Sequence, residues 1–208
     1  MVLPGESLCV PPPSDALVLF DGHDLAQWVR EPWKNDLDRS AIPKWKIENG
    51  YLEVVPHTGS IYTREKFGSC QLHLEFAEPA QVDKNMKGQN RGNSGVFIFG
   101  HGEVQILDSF ENDTYPDGQC AALYHRYPPL VNACRKPGEW QSYDILFHAP
   151  QTNELGKQIS PGNVTVLQNG IVVQDRSEVG YGAESGTLGL QDHLNPVRFR
   201  NIWLRRLD

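Results

Sequence analysis

The stretch NRGNSGVFIFGHGEVQILD, residues 90–108, holds the side chains best suited to chemistry on a sugar. In a strand alternate side chains share a face, so Glu103 and Gln105 point one way while Val104 and Ile106 point the other. Asp108 breaks that parity. A one-residue bulge near Ile106–Leu107 would bring it round to the Glu103 face, whereas strict alternation leaves it on the apolar side, capping a turn. Cleavage of a glycosidic bond uses paired acids whose environments drive their pKa values apart, and Glu103 with Asp108 would supply such a pair. The plain alternative is a strand with a solvated outer face. Gly92, Gly95, Gly100 and Gly102, with the polar Asn93–Ser94 pair, flank the strand and suit close backbone approach.

Three further clusters carry polar or aromatic groups. In GQCAALYHRYPPLVNACRKPGEWQSYDI, 118–145, Tyr124, His125, Tyr127 and Trp140 could wall a sugar site, since an aromatic face matches the C–H face of a pyranose. His125 could shuttle a proton, or simply sit on the surface of a Pro-rich loop; Trp140, after a turn, reads as core. In GLQDHLNPVRFRNIWLRRL, 189–207, alternation puts Val197, Phe199 and Trp203 on one face and Arg198 and Arg200 on the other, with Gln191 and His193 in the loop before. Such cations bind an oxygen-rich ligand or pair with acids on the next strand. Arg64 ends a strand before QLHLEF, where Gln71, His73 and Glu75 share a polar face that is either a cleft floor or wet exterior. FENDTYPDGQ, 110–119, offers oxygens for Ca²⁺, but without EF-hand spacing turn formation is the simpler reason.

The elements that must position these groups are strands. Period-two alternation recurs at 45–55, 70–77, 94–100, 103–108, 142–149, 163–175, 186–192 and 197–207, punctuated by Gly, Pro, Asn and Asp. Asn49–Gly50 and Asn169–Gly170 each suit a two-residue type I′ hairpin turn. No segment shows a sustained helical period with caps. Residues 1–16 carry four of the fifteen prolines and read as an extended lead-in; residues 17–208 read as one all-β domain, a two-sheet sandwich or jelly roll.

Composition narrows the function. The 208 residues are 39% apolar and 22% charged, which excludes a disordered or collagen-like chain. Nineteen basic residues against 26 acidic ones give a net charge of -7, with no basic cluster to grip a phosphate backbone, so nucleic acid is excluded as a partner. No apolar run reaches the roughly 18 residues of a membrane span. Cys9, Cys70, Cys120 and Cys134 lack zinc spacing. Cys120 with Cys134 and Cys9 with Cys70 are one of three possible disulfide pairings, which would imply an exported protein; four buried thiols are the alternative.

Taken in order, LFDGHDLAQW, the W-x-I-E-N-G-Y-L hairpin, IYTRE, QLHLEF, GNSGVFIFG, EVQILDS, GQCAALY, PGEWQSYDI, VTVLQNGIVVQD and LQDHLNPVRFRNI resemble the 3-keto-disaccharide hydrolase domain family over residues 17–207. The resemblance implies a concanavalin A-like jelly-roll β-sandwich, commonly in exported proteins, acting on an oligosaccharide or glycoside oxidised at carbon 3. It implies proton abstraction beside the ketone, elimination and hydration. On that basis Glu103 is the expected proton-transfer residue, Asp108 and Gln105 ligand or metal contacts, and His125 a second acid/base. Arg64, Asn93, Gln191 and His193 are expected to bind substrate oxygens or the enolate, with Glu75, Tyr124 and Arg198 as further substrate contacts and a divalent metal left open. EVQILD also resembles the catalytic strand of laminarinase-type glucanases, but Gln105 and Asp108 depart from that strand's acids. The competing readings are a carbohydrate-binding, lectin-like module without catalysis, and a scaffold domain.

Overall fold

The computed structural model describes residues 1–5, 10–30, 41–80 and 85–207. Among them run β1 Leu17–Phe20, β2 Trp28–Arg30, β3 Lys46–Glu48, β4 Tyr51–Glu53, β5 Ile61–Thr63, β6 Cys70–Ala77, β7 Ser94–Ile98 and β8 Glu103–Ile106. The chain continues with β9 Gln141–His148, β10 Gln151–Thr152, β11 Gln158–Ser160, β12 Gly162–Gln168, β13 Ile171–Gly180, β14 Leu188–Leu190 and β15 Arg198–Arg206. The larger sheet has the order β13-β12-β9-β6-β15-β4-β3 with β1 beside β15, and the smaller β2-β5-β14-β7-β8. Their pairings are antiparallel, and the fold is a concanavalin A-like jelly-roll sandwich. No helix among the described residues is long and apolar enough to cross a membrane.

Alternation builds the core between the sheets. Leu72, Leu74 and Phe76 of β6 and Tyr143, Ile145 and Phe147 of β9 face Val96 and Ile98 of β7, Val104 and Ile106 of β8, and Leu188 and Leu190 of β14, none more than 3% exposed. Each such side chain contributes roughly 1.5–3 kcal/mol through burial. Phe99 meets Phe147 edge to face, with centroids 4.9 Å apart. Both expected hairpins form, with φ of +48° and +78° at Asn49–Gly50 and +52° and +79° at Asn169–Gly170, the left-handed pair a type I′ turn demands.

Two expectations need correction. In β15 the register slips between Arg200, opposite Glu75, and Trp203, opposite His73, with Asn201 at φ +49°. The extra residue of that bulge reverses parity, so Phe199, Ile202 and Leu204 enter the core while Trp203 lies on the outer face, stacked on His73 at 4.8 Å. Trp140 also lies outside the core, half-buried beneath the Arg200 guanidinium at 4.0 Å.

Cys120 and Cys134 are buried thiols rather than a disulfide: Gln168 Nε2 donates to both sulfurs, at 3.4 and 3.3 Å. Cys70 is buried, and Cys9 lies outside the described residues.

Candidate active site

The outer face of the smaller sheet is laid out in rows. Val29, Tyr62, Gly189, Phe97 and Glu103, one from each strand, stand in register. The next row holds Gln191, Gly95 and Gln105: Gln191 N–H donates to Gly95 O at 3.0 Å, and Gly95 pairs with Gln105. Gly95 is needed there because the Glu103 carboxylate lies across it. A Cβ at residue 95 would stand 1.9 Å from Glu103 Oε1.

Burial pushes the Glu103 carboxyl up to about 7. Turned with its nitrogen toward the strand, the buried Gln105 amide donates to Ser94 O at 2.9 Å and to Glu103 Oε1 at 3.2 Å. Gln89 lies beside it and is itself held by Gly118 O at 2.8 Å, while Asn93 Nδ2 donates to Gln89 O at 2.7 Å. The Oε1 of Gln191 is buried without a hydrogen-bond partner.

One wall is the segment 119–127, which pairs with the free edge of β8: Gln105 N donates to Ala122 O, Ala121 N to Gln105 O and Tyr124 N to Glu103 O, all within 3.0 Å. This pairing sets Tyr124 beside Glu103. The Tyr124 and Tyr115 hydroxyls meet at 2.6 Å, and desolvation with that contact holds the Tyr115 phenol above its usual range. His125, exposed at the rim, lies parallel to the Tyr115 ring at 5.3 Å, with Asp117 Oδ2 3.8 Å from Nδ1. The opposite floor is Tyr62 and Phe97. Together Tyr62, Phe97, Gly100, Gly102, Glu103, Tyr124 and Thr187 line a cleft of about 430 Å³.

The expected site residues divide into groups. Glu103, Gln105, Asn93, Gln191 and Tyr124 are brought together on this face, with His125 at its rim. Arg64 directly follows β5, exposed, its Nε donating to Ala26 O at 2.8 Å; His193 is exposed in the loop after β14, its carbonyl accepting from Asn195 Nδ2. Asp108 is not brought to Glu103. It lies buried two residues past the end of β8, its carboxylate taken by Arg91 Nε at 2.7 Å and Phe110 N at 3.2 Å. The β7–β8 pairing is regular from Phe97–Glu103 to Ser94–Ile106 and ends there, with Ile106 and Leu107 both in the core.

Glu75 and Arg198 belong to the far side of the molecule, on the outer face of the larger sheet. Arg198 pairs with Glu53 at 2.7 Å and covers the Tyr51 ring. Glu75 binds Arg200 at 2.6 Å and Asn201 at 2.9 Å, and His73 Nδ1 meets Asp144 at 2.8 Å. Burial opposes charge on both, but the hydrogen bonds prevail, raising His73 to about 9 and lowering Glu75 to about 2. These charges answer one another and hold the sheet to the lead-in, where Val10 O accepts from Asn201 and Asp15 binds Arg205.

Sequence reasoning missed Tyr62, Phe97, Gln89 and Tyr115. The alternation of GVFIFG already set Phe97 opposite Val96 and Ile98, and a glycine between two strands' aromatics is the signal that would have found the floor. The described residues hold no cluster of three His, Cys, Asp or Glu side chains able to grip a metal ion, the 110–119 loop included.

The chain has relatives among known proteins. The profile of the family described as 3-keto-alpha-glucoside-1,2-lyase-like domain matches residues 15–205. A 3-keto-disaccharide hydrolase of Bacteroides thetaiotaomicron is 24% identical, over 98% of this chain and 82% of its own. A crystal structure of a candidate glycosyl hydrolase from Parabacteroides distasonis ATCC 8503 is 38% identical, with a TM-score of 0.84 over 99% of this chain and 90% of that one. A second such structure from the same organism, 20% identical over 93% of this chain and 94% of that one with a TM-score of 0.69, shares the fold.

Proposed function

Because the chain belongs to the 3-keto-alpha-glucoside-1,2-lyase-like domain family, we propose that it cleaves 3-keto-glycosides or 3-keto-disaccharides by taking the proton beside the ketone, with Glu103 as the base. The observation that carries this reading is a single carboxylate, raised to about 7 by burial, between aromatic walls and a row of amides. A base poised near neutrality is matched to abstracting a proton at working pH.

The chemistry asks for little more. A ketone at carbon 3 acidifies the hydrogen on carbon 2; Glu103 takes that proton and an enolate forms. The amides of Asn93 and Gln105 act from behind the base, Asn93 through Gln89 and Gln105 on the Glu103 carboxylate, and Gln191 Oε1, which has no partner in the protein, accepts a sugar hydroxyl. The enolate expels the group on carbon 1, whose oxygen regains the proton from Glu103. Water then adds to the unsaturated sugar, with His125 at the rim moving its proton. Asp108 has no part in these steps, for Arg91 occupies its carboxylate.

The test is release of the leaving group from 3-keto-glucosides and from their unoxidised parents, with and without chelator, by the native protein and Glu103→Gln. Release from the keto forms alone, lost in Glu103→Gln, is expected. Release from the parents, or full activity in Glu103→Gln, sinks the reading. Loss with chelator assigns enolate stabilisation to a divalent cation.

A further inference from the structure

The row that ends at Glu103 is apolar along the rest of its length. Strands lie about 4.8 Å apart, so from Glu103 through Phe97 and Gly189 to Tyr62 the sheet runs about 14 Å, long enough for two six-membered rings. The two aromatic rings close over Gly189, where a Cβ would come within 2.6 Å of the Tyr62 ring and 3.0 Å of the Phe97 ring. They are parallel to within 9°, with centroids 6.1 Å apart, and both are half-buried. Aromatic rings on the outside of a sheet, held parallel and lining a cleft, offer a flat apolar surface that gains by being covered.

The cleft is therefore divided by chemistry. Amides gather along the row of Gln191, Gly95 and Gln105, while the floor from Phe97 to Tyr62 is hydrocarbon. A ring that develops negative charge needs the first; a departing group needs only to be held in place. Resting on the reaction proposed above, we infer that the Tyr62–Phe97 floor is the subsite of the leaving group, and that it selects 3-keto-glycosides whose leaving group presents a flat apolar face one ring wide over those that release a small alcohol. Two chemistries offer that face: a second pyranose through its C–H bonds, and a phenol.

The subsite can be read without turnover. Calorimetry measures binding of unoxidised phenyl glucoside, maltose and methyl glucoside to the native protein, to Phe97→Leu, which keeps apolar bulk in the strand but deletes the ring, and to Tyr62→Ala. Turnover of the 3-keto forms of the same three compounds is measured in parallel. The phenyl compound, the disaccharide or both are expected to bind about tenfold tighter than the methyl compound, and the substitutions to erase that gap while moving methyl binding by less than about threefold. A gap for the phenyl compound alone assigns the floor to phenols, and one for maltose alone assigns it to sugars. Equal affinities in the native protein, or a gap that survives both substitutions, overturn the subsite even if the keto forms are cleaved. A gap without any turnover upholds the floor as a binding surface and overturns the proposed reaction instead.

Discussion

The Glu103 carboxylate occupies the place that a side chain at Gly95 would fill, 1.9 Å from where a Cβ would stand. Gly95→Ala therefore forces Glu103 out of its position while leaving every hydrogen-bonding group of the site in the chain. Overpacking of this kind costs about 1–3 kcal/mol of stability. Activity is expected to fall more than about tenfold, because a base must lie within hydrogen-bond reach of the proton it takes. An alanine variant with native kinetics on a 3-keto-glucoside would show that the carboxylate works from some other position.

Glu103 also ties activity and stability to pH in opposite directions. Its carboxyl rises from 4.5 to about 7 on folding, through burial, so the fold disfavours the ionised form. Between those values the native state loses stability as pH rises, by roughly 2–3 kcal/mol, while the base becomes competent. Glu103→Gln is expected to be the more stable protein at pH 8 but not at pH 4, by urea denaturation, and the native kcat/KM to climb through about pH 7. A native profile flat from pH 5 to 9 would rule out this base.

The charges on the larger sheet titrate elsewhere. His73, raised from 6.5 to about 9, contributes stability in full below 6.5 and loses it as pH rises through 9. Glu75, lowered from 4.5 to about 2, contributes in full above 4.5 and loses it as pH falls toward 2. The cluster is thus fully effective from about pH 4.5 to 6.5. In His73→Gln the fall in Tm between pH 6.5 and 9 is expected to be smaller than in the native protein, and kcat/KM at pH 7 to change little, since this face is not the cleft. An unaltered slope would show that other groups govern alkaline unfolding.

Cys120 and Cys134 share one amide donor as thiols. A bond between them would close a short loop and add about 3 kcal/mol, which in a chain of this size is roughly 6–12 °C in Tm. Alkylation after unfolding without reductant is expected to label both, and a reducing agent to leave Tm unchanged. A recovered Cys120–Cys134 cross-linked peptide would contradict the thiol state.

Much of this was readable from residue order. Alternation in QLHLEF and EVQILD gives the inner faces directly, and Asn-Gly marks two hairpins, because both signals are local. What failed depended on pairing. Glu75 and Glu103 are both polar-face residues in regular strands, and nothing local says that one lies on the larger sheet and the other on the smaller. The parity of Trp203 turned on a bulge at Asn201, a residue with no glycine beside it to announce left-handed backbone. Residue order pairs Asp108 with Glu103 as a second acid, but Arg91, 17 residues away in sequence, holds its carboxylate.

β8 is the outermost strand of its sheet, and such strands normally offer a row of vacant amides and carbonyls to any passing chain. Here residues 121–124 already occupy those groups at Glu103 and Gln105. The strand that bears the base is thereby closed to recruitment by a neighbouring molecule, so crowding at high concentration has no route by which to zip two copies together along the mouth of the cleft.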